Sequence, residues 1–223
     1  TQGVSSAASD VYKRQRKDIA KHLEGNDRRV LRDFVYSYMP KTPELEGLTV
    51  PEIAERRGTS IGEVTMDLLV ENELEVGFWG VPPGDISIWR QVSQDQVELL
   101  SRPDYMIGSD SIHVGGHPHP RAWGTFPRFL GRLRRQFSKI SLEQMIQRTT
   151  DNPAVRFGLS ARGRLTEGYF ADIVVFDADR MIDTATYDDP KQYPIGIPFV
   201  LVNGQVAVDH ERCTGVMAGQ AIP

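Results

Sequence analysis

The sequence has one cysteine, Cys213, among its 223 residues. A single thiol excludes an internal disulfide framework and a metal cluster made of cysteines alone. No apolar run approaches the roughly 20 residues that a membrane-spanning helix needs, and the first residues lack the apolar core of a signal peptide. The sequence therefore predicts a cytoplasmic protein with no membrane partner.

Neither sign of charge dominates the chain. It has 26 Lys and Arg and 30 Asp and Glu residues, which give a formal net charge of -4. Such a chain has no basic field for an anionic polymer, so nucleic acid is not expected as a partner. The arginine-rich stretch from Arg128 to Arg135 is a local exception, which we interpret as one solvated helix face. A hydrophobic fraction of 39% fits one large domain or two small ones.

The first fifteen residues, Thr1 to Gln15, show no apolar periodicity. Their letters VSSAASDVYKRQ resemble a translated adaptor sequence, and we expect residues 1–15 to be a non-native or disordered terminus. If they are non-native, the protein was cut upstream of Arg16 and its natural form is longer.

From residue 16 to about 160, helix signals alternate with short apolar runs. Ser-x-x-Glu or Ser-x-x-Gln capping signatures occur at Ser60, Ser93 and Ser141. Leu74–Trp79 and Tyr105–Ile107 read as buried strands between helices, which favours a parallel sheet built from βαβ units. A closed (β/α)₈ barrel needs eight strands and about 250 residues, so such a barrel would be incomplete here.

The last third of the chain has a different pattern, with three β-like runs and few helix signals. The runs are Asp172–Asp177, Pro198–Val202 and Gln205–Asp209. Asn203 and Gly204 separate the last two and predict a tight hairpin, because both residues tolerate positive φ. We expect residues 161–223 to form a small antiparallel unit.

The stretch from Tyr105 to Arg128 concentrates residues that can do chemistry. Asp110 follows an apolar run, which would place it at the carboxyl end of a strand, where a carboxylate could accept a proton from an attacking water. On position alone, a loop-capping role for Asp110 is favoured over the catalytic one. Arg121 could hold a substrate carboxylate with two hydrogen bonds, or it could be an ordinary exposed arginine.

Three histidines, His113, His117 and His119, share this stretch and suggest a metal site. A zinc site needs three or four convergent ligands, so we favour hydrogen bonding within the loop or lining of a site. Thr125 and Pro127 suit the cap and first turn of a helix over Phe126–Phe137. Among the tryptophans, Trp123 is retained as a candidate for lining an acyl pocket.

Several motifs in this order resemble the C-terminal half of the N-acyl-D-amino-acid deacylases, or D-aminoacylases, in the amidohydrolase superfamily. The motifs are GSDS, HPHPRAWGTFPRFLGRLRR, NPAVRFGL, GRLTEGYFADIVVFD and FVLVNGQ. The resemblance implies an α/β fold, namely the C-terminal part of a (β/α)₈ TIM barrel over residues 16–160 and part of a small β-sandwich over residues 161–223.

The resemblance also implies zinc-dependent hydrolysis of an N-acyl-D-amino acid to a carboxylate and a D-amino acid. It implies that Asp110 is the catalytic aspartate and a candidate weak metal ligand, and that Arg121 binds the substrate α-carboxylate. The main zinc ligands of that family have no counterpart in this sequence, so the chain is expected to be inactive alone. The open alternatives are an amidohydrolase for a cyclic amide or other acyl amine, and a non-catalytic binding or assembly module.

Overall fold

The structure is a computed structural model that describes residues 2–25 and 33–222. The chain divides into two compact units. The first comprises the residues up to Pro82 together with Ile112–His119, and the second comprises Pro83–Ser111 and the residues from Pro120 onward. No helix among the described residues is long and apolar enough to cross a membrane.

The first unit begins with helix α1, Gln2–Gly25. The expectation of an unfolded terminus through Gln15 is therefore wrong. Residues 4–15 contain neither glycine nor proline, and the helix continues to Ala20, which is buried at the point where Gly62 approaches its carbonyl. Whether residues 1–15 are native to the protein stays a prediction.

The other elements of the first unit are strand β1 (Phe34–Tyr38), a 3₁₀ turn (Pro43–Leu45), helix α2 (Val50–Arg57), helix α3 (Ile61–Glu71) and strand β2 (Gly77–Gly80). As predicted, Ser60 caps α3 by accepting a hydrogen bond from the Glu63 amide. The core of the unit is made of residues from all of these elements except β2, namely Tyr36, Met39, Leu45, Val50, Ile53, Ala54, Val64 and Leu68.

Strand β2 differs from the prediction of a buried parallel strand over Leu74–Trp79. It pairs with β1 in antiparallel register, Val35 opposite Trp79, and its Phe78 is 57% exposed. The apolar run is longer than the strand that it forms, because Leu74 lies in a turn with φ of 67° and only the four residues Gly77–Gly80 are in the strand. The sheets of the described residues contain antiparallel pairs only.

The second unit begins with helix α4, Ile86–Leu100. Asp85 caps it by accepting a hydrogen bond from the Ser87 amide at 2.8 Å, so the predicted start at Ser93 is wrong and Ser93 is buried inside the helix. Tyr105–Ile107 lies outside any strand, which also corrects the prediction for that run.

A continuous helical stretch follows, with α5 (Arg121–Pro127), a π-helical segment (Arg128–Leu133) and α6 (Arg134–Phe137). It starts at Arg121 rather than Phe126. Thr125 is therefore inside the helix, where its hydroxyl donates to the Arg121 carbonyl at 2.8 Å, and Pro127 is the last residue of α5 instead of a first-turn residue.

Two short helices, α7 (Leu142–Thr149) and α8 (Asp151–Phe157), lead to a four-stranded antiparallel sheet. Its strands are β3 (Ile173–Val175), β4 (Phe199–Val202), β5 (Gln205–Asp209) and β6 (Arg212–Cys213), in that spatial order. Asn203 and Gly204 have φ of 48° and 80°, so the predicted hairpin is confirmed. The helical core of this unit consists of Val97, Leu100, Ile107, Leu133, Ile140 and Met145.

Candidate functional site

Asp110 lies in an irregular segment of the second unit and has an unusual backbone. Its φ is 46°, in the left-handed region that aspartate tolerates better than most side chains. The hydroxyls of Ser109 and Ser111, on either side of it, are 3.0 Å apart. The side chain of Asp110 is 89% exposed. The bend therefore presents the carboxylate outward instead of using it as a buried cap.

Arg121 occupies the first position of α5, directly after Pro120. Its guanidinium Nη2 lies 3.1 Å from Oδ2 of Asp110, and 41% of the Arg121 side chain is exposed. The two residues that the sequence singled out as catalytic and substrate-binding are thus in direct contact. The pair combines a proton acceptor with a cation that can take a second carboxylate.

The helix that carries Arg121 is fastened to the segment after β3 by one buried carboxylate. Asp183, 6% exposed, accepts hydrogen bonds from Nε of Arg132 at 2.7 Å and from Nη1 of Arg128 at 3.3 Å. Arg132 also donates to the Asp183 carbonyl at 3.0 Å. The arginines predicted to form a solvated face therefore make specific contacts, which also include donations from Arg135 to the carbonyls of Ala178 and Met181.

Tyr187 follows on the same segment, and sequence reasoning missed both it and Asp183. Burial raises the pKa of the Tyr187 hydroxyl, and the nearby guanidinium groups of Arg128 and Arg121 oppose that rise. Its ring lies 6.3 Å from that of Trp89. In the sequence the two residues lie in a polar stretch between the β-like runs, and no motif there distinguishes them.

The histidines of the central stretch belong to the first unit. The imidazole of His117 stacks on the Trp79 ring with centroids 6.1 Å apart, and His119 meets the same ring edge-on. Trp79 Nε1 donates to the His117 carbonyl at 3.0 Å, and Gly47 leaves just enough room for the His117 ring. These contacts hold the segment in place, as expected for histidines that support a loop.

A zinc site needs three or four convergent donor atoms. Within residues 2–25 and 33–222, no group of three or more His, Cys, Asp or Glu side chains is arranged to hold a metal ion. Asp110, the candidate weak ligand, has Arg121 at its carboxylate instead. The described residues therefore do not form a zinc site by themselves.

Comparisons with known proteins identify the family of the chain. Residues 45–208 match the model of the amidohydrolase family, which covers well over half of the sequence. The chain belongs to the amidohydrolase family. The particular relatives it resembles within this family are deacylases.

A curated D-aminoacylase from Alcaligenes xylosoxydans xylosoxydans is 37% identical over 180 residues, which are 81% of this chain and 34% of the relative. A solved D-aminoacylase structure concerned with its binuclear metal centre superposes with a TM-score of 0.69 at 34% identity, covering 86% of this chain and 38% of that one. The N-acyl-D-glutamate deacylase of Bordetella bronchiseptica, solved with zinc and a phosphonate inhibitor, gives 0.65 at 31% identity, with 85% and 36% covered.

These superpositions confirm the predicted fold class, part of an α/β amidohydrolase of the D-aminoacylase kind. The chain spans about a third of the length of the curated relatives it matches. Three statements stay predictions. They are the division of the chain near residue 160, the roles of Asp110 and Arg121, and the lining of an acyl pocket by Trp123.

Proposed function

We propose that this chain is the C-terminal part of a zinc-dependent hydrolase that cleaves the amide bond of N-acyl-D-amino acids. The observation that carries the proposal is the contact between Asp110 and Arg121 at the start of α5. The relatives named above act on N-acyl-D-amino acids and hold metal, which supports the substrate class and the cofactor. In this proposal the main zinc ligands lie outside residues 2–25 and 33–222, and Asp110 is at most a weak ligand.

In this proposal Asp110 is the proton carrier. Hydrolysis of an amide requires a base that takes a proton from the attacking water and returns it to the departing nitrogen. The carboxylate of Asp110, 89% exposed on a left-handed backbone, has the required accepting oxygens. An amide in place of the carboxylate could not take up that proton.

Arg121 is the proposed carboxylate-binding residue. A guanidinium can donate two parallel hydrogen bonds to the α-carboxylate of the substrate, which a point-like ammonium cannot do. Because Arg121 contacts Asp110 in the free protein, a bound substrate carboxylate would sit beside the proton carrier. This arrangement would bring the scissile amide of an N-acyl-amino acid near Asp110.

The proposed partner is thus a small molecule, and we infer a cytoplasmic enzyme because the chain has one free, exposed cysteine and no disulfide. Expression of the tagged chain in cells, followed by fractionation, tests the location. Recovery in a secreted or membrane fraction would contradict it.

A hybrid enzyme tests the function. The complete 223-residue chain replaces the matching third of the Alcaligenes D-aminoacylase, and amine release is measured with N-acetyl-D-amino acids and, in parallel, with a cyclic amide. We expect hydrolysis of the linear substrates, and Asp110→Asn should lower kcat by a factor on the order of 10² to 10⁴. A folded, zinc-loaded hybrid that is inactive, or that prefers the cyclic amide, would contradict the proposal.

Glu71→Gln is the matched control, because Glu71 also pairs with an arginine, Arg57, at 2.9 Å. Arg57 is in α2 and Glu71 is in α3, and neither helix is close to Asp110 in the sequence. This variant loses an ion pair of the same chemistry and should keep the rate of the hybrid. An equal loss in both variants would mean that Asp110 has no special role.

A further inference from the structure

The segment that delivers Asp110 has no helix or strand to hold it. After α4 ends at Leu100, the chain runs through turns and then irregular backbone to Asp110. Backbone N–H and C=O groups in such a segment need partners outside a ladder. Two residues in the α7–α8 region provide several of them.

Asn152, the second residue of α8, is the first of these. Its side-chain amide nitrogen donates to the Pro103 carbonyl at 2.8 Å and to the Tyr105 carbonyl at 2.7 Å. Both protons of the amide are therefore used on one short stretch. The residue before Asn152, Asp151, forms an ion pair with Arg164, with contacts of 2.5 and 3.0 Å. This ion pair helps to hold the start of α8, which carries Asn152.

Arg148, near the end of α7, is the second. It is 2% exposed, and its Nε donates to the Leu100 carbonyl at 3.1 Å. Its own backbone carbonyl accepts a hydrogen bond from the Ile107 amide at 3.1 Å. Gln147 orients the guanidinium by accepting from Nη1 at 2.7 Å. One buried residue thus binds both ends of the stretch from Leu100 to Ile107.

These contacts control where Asp110 lies. Ile107 is buried in the helical core, and only Gly108 and Ser109 separate it from Asp110. A displacement of Ile107 is therefore passed on almost directly to the carboxylate. Catalytic groups tolerate little misplacement, since a shift of about 1 Å can cost on the order of 10² in rate.

We propose that Asn152 and Arg148 are positioning residues that hold the Leu100–Ile107 segment and thereby place Asp110 for proton transfer. The catalytic part of this inference rests on the proposed function, whereas the mechanical part does not. The two parts are tested by separate measurements.

The mechanical part is tested on the complete chain by amide hydrogen exchange of residues 101–111. Asn152→Asp is nearly isosteric but replaces the amide nitrogen, which makes both donations, with a carboxylate oxygen that repels the two carbonyls, so exchange should rise about tenfold or more. Asn152→Ala, which removes the donors without adding charge, should give a smaller rise. Asn203→Asp is the matched control, because it removes an amide donation to the Ala218 carbonyl at 2.7 Å in the β hairpin.

Unchanged exchange in Asn152→Asp, or an equal rise in Asn203→Asp, would overturn the proposal. Arg148→Lys gives a second route, since lysine keeps the charge but not the geometry at the Leu100 carbonyl. It should raise exchange in the same residues without a general loss of protection. A rise spread over the whole chain would show that Arg148 only stabilises the fold.

The catalytic part is tested in the hybrid enzyme. Asn152→Asp should lower kcat about tenfold to a hundredfold while KM changes less than about twofold, because Asp110 moves and Arg121 does not. A parallel rise in KM would contradict the positioning role. An unmutated hybrid that is inactive would refute the proposed function, and the exchange result on the chain would still decide the mechanical part.

Discussion

Asp110 and Arg121 come from different kinds of backbone, one from a left-handed bend and the other from the first position of a helix. Their contact at 3.1 Å means that a substrate carboxylate must share or displace an interaction that already exists. The exchange costs little, because Asp110 is 89% exposed and Arg121 is 41% exposed, and a solvent-accessible ion pair is worth only about 0–1 kcal/mol. Arg121 can therefore bind a second carboxylate without a large penalty.

This leads to a prediction for Arg121→Lys in the hybrid enzyme. Lysine keeps the positive charge but loses the two parallel donors, so KM for an N-acetyl-D-amino acid should rise about tenfold, with a smaller change in kcat. Steady-state kinetics measures both constants.

The control for this variant is Arg57→Lys, which breaks a two-bond contact with Glu71 at 2.9 Å for each bond. It should leave KM unchanged. A substrate lacking the α-carboxylate should lose its dependence on Arg121, and equal KM values for the Arg121→Lys variant and the unmutated hybrid would argue against carboxylate binding.

Part of the candidate site could be predicted from the sequence, because its two residues are close together in the chain. Asp110 and Arg121 occur in a motif whose spacing is short enough for one loop to bring them together. Asp183 is more than fifty positions beyond Arg128, and nothing in the intervening letters shows that the chain returns to that helix. Such long-range contacts depend on packing, which a single sequence does not reveal.

At the scale of elements, the two complete capping boxes allow a direct comparison. In α2, Thr49 and Glu52 exchange hydrogen bonds, and in α7, Ser141 and Gln144 do the same. Because Glu52 accepts from the backbone amide and hydroxyl of Thr49, its pKa lies below the ordinary value of 4.5. Gln144 has no charge to lose.

The two boxes should therefore respond differently to pH. A carboxyl whose pKa is lowered on folding stabilises the protein above its unfolded pKa, and that contribution is lost as the pH falls through the folded pKa. Glu52→Ala should cost about 1 kcal/mol at pH 7 and less in acid below the ordinary pKa. Gln144→Ala should cost a similar amount at both pH values. Urea unfolding at several pH values measures this, and a pH-independent cost for Glu52→Ala would contradict it.

Gly131, inside the π-helical segment, carries the next prediction. Replacing a helical glycine by alanine usually stabilises by about 1 kcal/mol. Here the added Cβ would overlap the Met181 carbonyl, so Gly131→Ala should instead destabilise by about 1–3 kcal/mol. Thermal unfolding of this variant beside Gly84→Ala, where nothing lies within 4 Å of the new Cβ, tests the effect. A higher melting temperature for Gly131→Ala would contradict the close approach.

The elements that the sequence predicted well are those fixed by nearby residues. The capped helices at Ser60 and Ser141 and the Asn203–Gly204 hairpin are confirmed, because a cap or a turn needs only a few letters. The parallel pairing expected for Leu74–Trp79 is wrong, because the strand pairs in antiparallel register. An apolar run in a sequence indicates neither the direction of the partner strand nor the length of the paired segment.

At the scale of the whole molecule, the chain covers about a third of its curated relatives. Under the proposed function, its described residues would supply a proton carrier, Asp110, and a carboxylate-binding arginine, Arg121, which are in contact. A base without an activated nucleophile gives little acceleration of amide hydrolysis. The separation of the proposed base from the main zinc ligands leads to a prediction for the isolated chain.

The purified 223-residue chain, supplied with zinc, should not hydrolyse N-acetyl-D-amino acids above the buffer rate. The physical reason is that residues 2–25 and 33–222 contain no group of three or more His, Cys, Asp or Glu side chains placed to hold the ion. Metal analysis after dialysis should find well under one zinc per chain, whereas the hybrid enzyme should retain its metal. Tight zinc in a 1:1 ratio that is lost in a His117→Ala, His119→Ala double variant would contradict this prediction and return the histidines to the centre of a metal site.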